Sequence, residues 1–189
     1  MKLVLIGSST GGPNQLRFLL EDINVKNTCI IVAQHMTENF IPSFIKQFDK
    51  HSLSKVSVLN DKEYLSNKIY ICCKNTILSK YNSPLKKHSD IVSHWQDIQT
   101  PYSPSVDLLF DSAIAFAKTN EMLAILLTGM GDDGAKSLLK LHQAGVKCLA
   151  ENEEDSVVYG MPKRAKQLNP DLKQMSLESI KKEILQFIK

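Results

Sequence analysis

Ser9, His35 and the pair Asp132-Asp133 are the residues in this chain with the means to do chemistry together. Each follows an apolar run. Leu3-Val4-Leu5-Ile6 leads into Gly7-Ser8-Ser9-Thr10-Gly11-Gly12, Thr28 to Ala33 leads into Gln34-His35, and Met122 to Leu127 leads into Thr128-Gly129-Met130-Gly131-Asp132-Asp133-Gly134. A serine hydroxyl is a weak nucleophile until an imidazole accepts its proton, and a carboxylate then orients that imidazole and stabilises its charged form. Attack on a carbonyl also needs N–H groups aimed at the developing oxyanion, and the residue after the nucleophile, here Thr10, commonly supplies one. The set implied is that of ester or amide hydrolysis. The chain order Ser, His, Asp differs from that of the α/β-hydrolases, chymotrypsin and subtilisin. Order argues against membership of those families but not against the chemistry, which geometry defines.

Other readings of the same residues stay open on the sequence alone. Gly7-x-Ser9-x-Gly11 matches a nucleophile elbow, whose flanking glycines allow positive φ. The Gly7–Gly12 turn equally suits a phosphate or nucleotide cradle in a non-enzymatic binding module, since helix N-termini attract anions, or a connection with no chemistry. The absence of a lysine in the turn counts against a Walker-type site. Asp132 and Asp133 compete for the carboxylate role. A glycine-rich acidic turn can also hold a metal, but no histidine shares it and no metal-ligand spacing appears around His51, His88 or His94, so no metal and no cofactor are assigned.

The elements that must position these residues follow from the hydrophobic pattern. The strand runs above, with Lys55 to Leu59, Lys68 to Cys72 and Val146 to Ala150, alternate with helical stretches. The helical stretches are Asn14 to Glu21, Phe40 to Asp49, a strong one over Val106 to Ala117, Ala135 to Ala144 stopped by Gly145, Lys163 to Leu168, and Ser176 to Ile188. That alternation predicts an α/β fold: a doubly wound, mostly parallel sheet with helices on both faces in three α/β/α layers. Ser9 and His35 then share the C-terminal edge of the sheet, where ligands bind in such folds. The stretch 75–102 lacks periodicity and reads as short strands and loops, with Trp95 either core or a contact residue.

The 189 residues fit one domain, and a net charge of +3 with scattered basic residues such as Lys86-Lys87 and Lys181-Lys182 gives no electrostatic case for nucleic acid. There is no apolar run of membrane-span length and no secretory leader, so the chain reads as cytoplasmic, without membrane insertion. Cys29 and Cys148 lie in apolar stretches and read as reduced core residues, while Cys72 and Cys73 should face opposite sides of a strand.

Taken jointly, a series of blocks resembles the catalytic domain of CheB, the chemotaxis protein-glutamate methylesterase. They are Ile6 to Pro13, Gln34-His35-Met36, Pro104 to Phe110, Leu127 to Ala135, and Tyr159-Gly160-Met161-Pro162. They occur in the family's order and span nearly the whole chain. The resemblance implies a catalytic set of Ser9 as nucleophile, His35 as general base and Asp133 as triad aspartate, because the pattern Gly-Met-Gly-x-Asp-Gly leaves Asp132 as the variable position. It implies Thr10 and Met130 as backbone donors of the oxyanion hole. It implies hydrolysis of γ-glutamyl methyl esters on the cytoplasmic helical bundle of methyl-accepting chemotaxis receptors, with methanol released, and in some members deamidation of receptor glutamines. Thr37 and Glu38, Ser137, and Cys72-Cys73-Lys74 depart from the family's usual residues. The resemblance covers residues 1–189 as one catalytic domain, with no receiver domain ahead of the first strand.

Overall fold

Three of the apolar runs become adjacent strands at the centre of one sheet. The computed structural model describes residues 1–81 and 90–189, so Lys86, Lys87 and His88 lie outside the described residues. In chain order the strands are β1 (Lys2–Ser8), β2 (Thr28–Gln34), β3 (Val56–Leu59), β4 (Ile69–Cys72), β5 (Thr76–Lys80), β6 (Ile91–Trp95), β7 (Met122–Leu126), β8 (Lys147–Glu151) and β9 (Lys173–Met175). The helices are α1 (Gly12–Leu20), α2 (Ile41–His51), α3 (Val106–Ala113), α4 (Ala135–Gln143), α5 (Met161–Leu168) and α6 (Leu177–Phe187).

The main sheet runs β3-β4-β2-β1-β7-β8-β9, and every pairing in it is parallel. Strict alternation along β1 sends its side chains to two cores. Leu3 and Leu5 join Phe110, Leu138 and Ala165, the layer under α3, α4 and α5. Val4 and Ile6 join Leu16, Phe48 and Ile180, the layer under α1, α2 and α6. All four β1 residues are fully buried, and burying each such side chain stabilises the fold by about 1.5–3 kcal/mol. Cys72 packs in the first layer and Cys73 against the second, on opposite faces. The four cysteines are free thiols, with Cys29, Cys72 and Cys148 buried.

Two elements differ from the sequence pattern, and a third agrees with the short strands expected in the stretch 75–102. The apolar stripe over Val106 to Ala117 forms an α-helix only to Ala113, then tightens into a 3-10 turn over Ile114–Phe116. Strand β9 is a three-residue edge strand of polar composition, too short and too polar to show a period. Strands β5 and β6 form a separate antiparallel pair within the aperiodic stretch. Trp95 closes that pair and donates from Nε1 to the Leu59 carbonyl at 3.0 Å.

Register places the polar turns. Gly7 lies opposite Ala33 of β2 and Leu126 of β7, so the three strands end together. Short bonds continue the ladder past them: His35 N–H to the Ser8 carbonyl, Ser9 N–H to the Thr128 carbonyl and Leu127 N–H to the Gly7 carbonyl, each 2.9 Å. Ser9, His35 and the 128–134 turn therefore emerge side by side at one sheet edge.

Candidate active site

Ser9 sits one residue past β1, half-buried, with a conventional backbone. Among the described residues Lys62 is the only non-glycine residue with positive φ, so the strained serine of a nucleophile elbow is absent. Gly7 is an ordinary strand residue, and its smallness serves packing: a Cβ there would lie 2.4 Å from Val106 Cγ1. The left-handed residue is Gly11, with φ of +88°, which turns the chain into α1 directly beneath Val157.

His35 and Asp133 meet. His35 Nε2 lies 2.8 Å from Asp133 Oδ2, and both side chains are nearly buried. Asp133 also accepts from the first amides of α3, Val106 N–H at 2.7 Å and Asp107 N–H at 2.9 Å, and from Ser105 Oγ at 3.2 Å. These are the orphan donors of a helix N-terminus, where the macrodipole favours an anion. Burial pushes the Asp133 carboxyl up, but the His35 bond and the Asp107 and Val106 amides together outweigh it and hold the group below its ordinary value of 3.8. Asp132 is exposed, and among the described residues its side chain bonds to nothing. The structure thus separates two carboxylates that composition alone leaves equivalent.

The other His35 nitrogen, Nδ1, is buried and has no hydrogen-bond partner among the described residues. Ser9 Oγ is likewise unpaired among them, so serine and imidazole stand on neighbouring strands without a hydrogen bond between them. Such bonds are often long or unmade before substrate arrives. The Thr10 and Met130 backbone N–H groups also lack an acceptor among the described residues. Met130 is 71 % exposed, so its side chain rims the site rather than filling it. Its turn presses on Ser9: a Cβ on Gly129 would lie 2.6 Å from Ser9 Cβ and 2.3 Å from Met161 Sδ.

Polar side chains that the sequence did not single out as functional hold this edge together. Gln34, buried at the end of β2, accepts from Ser8 Oγ at 2.7 Å and donates to the carbonyls of Ser9 and His35, both at 2.9 Å. Thr128 Oγ1 donates to the Thr10 carbonyl at 2.9 Å and accepts from Val158 N–H at 2.9 Å. Fully buried Glu151 accepts from Thr128 N–H at 2.7 Å and from Gln15. Burial drives its carboxyl above the usual value despite those bonds. Tyr102 lies flat on His35, ring centroids 4.9 Å apart and planes within 2°. Gln34 enters the sequence reading only as part of the Gln34-His35-Met36 block, with no role, and Tyr102 is not marked at all, because both act through contacts with residues distant along the chain or through backbone atoms.

The CheB methylesterase family model matches residues 4–184. The chain belongs to the CheB methylesterase family. Relatives include protein-glutamate methylesterase/protein-glutamine glutaminase 3 of Shewanella oneidensis, 34 % identical over all of this chain and 52 % of the relative. Another is protein-glutamate methylesterase/protein-glutamine glutaminase 1 of Hahella chejuensis, 38 % identical over 95 % of this chain and 49 % of the relative. The chain therefore spans about half the length of the curated relatives it matches. The crystal structure of the Thermotoga maritima CheB methylesterase catalytic domain superposes with a TM-score of 0.82 at 29 % identity, covering 98 % of this chain and 97 % of that one. The nucleotide-cradle reading of the Gly7–Gly12 turn finds no support in these CheB-family relatives. No helix among the described residues is long and apolar enough to cross a membrane.

The residues that depart from the CheB pattern make contacts of their own. Glu38 and Lys74, from two of the departing stretches, form an exposed ion pair at 3.5 Å, and Lys74 also lies over the Trp95 ring. Ser137 gives its hydroxyl to Asp107 Oδ1 at 2.5 Å, on the residue whose own amide donates to Asp133.

Proposed function

We propose that the chain is a serine hydrolase that removes methyl groups from γ-glutamyl esters on the cytoplasmic helices of chemoreceptors. Residues 1–189 constitute one methylesterase catalytic domain working in the cytoplasm. The observation that carries the reading is the state of His35: one nitrogen is tied to a buried carboxylate, the other is buried and unpartnered among the described residues, and the residue follows Gln34 of β2 as Ser9 follows its partner Ser8 of β1.

On this reading Asp133 holds the Nε2–H tautomer, which leaves the Nδ1 lone pair to take the proton of Ser9 Oγ. The oxygen attacks the ester carbonyl, and the oxyanion that forms is met by the free amides of Thr10 and Met130. His35, now an imidazolium stabilised by Asp133, returns the proton to the methoxide as methanol leaves. Water, deprotonated by the same nitrogen, then releases the glutamate and restores the serine. Deamidation of a receptor glutamine follows the same path with ammonia as leaving group, and the names of the relatives support it. The test is methanol release from methylated receptor membranes, compared between the protein and its Ser9→Ala variant, with circular dichroism to show that the variant is folded.

A further inference from the structure

A single hydrogen bond from Nε2 to Asp133 does not fix an imidazole. The ring can still rotate about that contact, which changes where Nδ1 points. Among the described residues Nδ1 has no bond of its own to prevent this. What meets the face of the ring is Tyr102, parallel to within 2° at 4.9 Å.

Tyr102 is itself held from a distance. Its carbonyl accepts from Thr100 Oγ1 at 2.6 Å. Thr100 Oγ1 in turn accepts from Asn75 Nδ2 at 2.9 Å, and the same Nδ2 donates to the Ile98 carbonyl at 2.9 Å. Asn75 Oδ1 accepts from Ser105 N–H at 2.8 Å, closing the loop just before α3. Asn75 is buried between β4 and β5, so the strap is anchored on the sheet. A cavity of about 290 Å³, lined by Tyr102, Ser105, Asp107, Asp133 and Lys136 among others, lies beside this loop. The tip of the ring rests against Gly131, where an added Cβ would lie 2.2 Å from the Tyr102 hydroxyl oxygen, so the strap and this close packing together place the ring.

We propose that Tyr102 is a positioning residue for the esterase reaction, its ring face fixing the rotation of His35 so that Nδ1 addresses Ser9. The inference rests on the esterase reading above. The aromatic face also favours the imidazolium that forms when Ser9 is deprotonated, since a ring's negative face attracts a cation. The hydroxyl has no part in this: it makes no hydrogen bond among the described residues. An aromatic ring is the requirement, and phenylalanine meets it.

The experiment compares the full chain with Tyr102→Leu and Tyr102→Phe, reading kcat and KM for methanol release from methylated receptor membranes and the His35 ring-proton resonances. Misplacing a reacting group by about 1 Å can cost on the order of 100-fold. Tyr102→Leu is accordingly expected to lose roughly 10- to 100-fold in kcat with KM little changed, and Tyr102→Phe to restore most of the loss. The His35 ring protons are expected upfield in the parent and in Tyr102→Phe, and downfield of that in Tyr102→Leu. An unaltered kcat in Tyr102→Leu, a Tyr102→Phe as slow as Tyr102→Leu, or His35 resonances that ignore the substitution would each overturn the proposal while leaving the esterase reading intact. A parent chain that releases no methanol defeats the esterase reading and this role with it. The ring-proton measurement needs no substrate, so it decides the stacking even then.

Discussion

His35 Nε2 and Asp133 Oδ2 lie 2.8 Å apart, although 98 positions separate the two residues along the chain. Strands β2 and β7 flank β1, and the turn after β7 brings Asp133 back to the N-terminus of α3. There its carboxylate is shared between an imidazole and two backbone amides. The aspartate is thus both the clamp on the proposed base and the cap of a helix.

Asp133→Asn keeps the shape of that cap but removes its charge and allows the wrong imidazole tautomer. Methanol release should fall by about 10³–10⁴ in kcat while the protein remains folded, by analogy with loss of charge at a triad aspartate. A drop smaller than tenfold in a steady-state assay would show that the carboxylate does not act on His35.

The same carboxylate makes stability depend on pH. Its folded-state value lies below the ordinary 3.8, so its contribution is complete above the unfolded value of about 3.9 and is lost as pH falls through the folded value. Denaturant midpoints of the parent should decline as the pH is lowered through and below that point. Asp133→Asn should show a shallower decline over the same range. Parallel curves for the two proteins would remove Asp133 as a source of the acid sensitivity.

Gln34 ties Ser8, Ser9 and His35 through one buried amide. Gln34→Leu leaves the His35 carbonyl and the Ser8 hydroxyl without their partner, while the Ser9 carbonyl keeps only the Gly12 N–H at 2.9 Å. Each buried unsatisfied group costs about 1–3 kcal/mol, so urea unfolding should show a loss of at least about 2 kcal/mol. Esterase activity should fall beyond what the residual folded fraction explains. An unchanged urea midpoint would contradict the bracing role.

Gly129→Ala tests the close approach of the 128–130 turn to Ser9. The added methyl would meet Ser9 Cβ at 2.6 Å and Met161 Sδ at 2.3 Å. The thioether end can give way, but the base of the Ser9 side chain cannot move without taking its backbone along. Overpacking of this kind costs about 1–3 kcal/mol, and the turn that presents the Met130 amide must move. A thermal melt should shift down, and turnover should collapse. Full turnover would mean that the turn does not shape the site.

Much of this arrangement is legible in the amino-acid sequence. Buried parallel strands are continuous apolar runs, and the polar residues that follow Ile6, Ala33 and Leu127 must land at one edge, which is why Ser9, His35 and the 128–134 turn stand out. The runs also mark the sheet layers, because β1 buries both its faces. What escapes the sequence depends on distant contacts. Strand β9 is a polar edge that pairs because β8 offers a free ladder, not because of its own pattern. Helix α3 stops short of its apolar stripe, since the 3-10 turn redirects the chain toward β7. Residue type cannot rank Asp133 above Asp132; burial at the α3 amides does. Gln34 reads as a strand terminus and Tyr102 as a loop aromatic, and only their spatial partners give them a role.

The central claim is that a hydroxyl at position 9 attacks a methyl ester with help from the imidazole at position 35. Methanol release from methylated receptor membranes, measured for the intact protein against folded Ser9→Ala, tests it most directly. Steady release by the intact protein and background release by the variant are the predicted result. Equal release by both would contradict it.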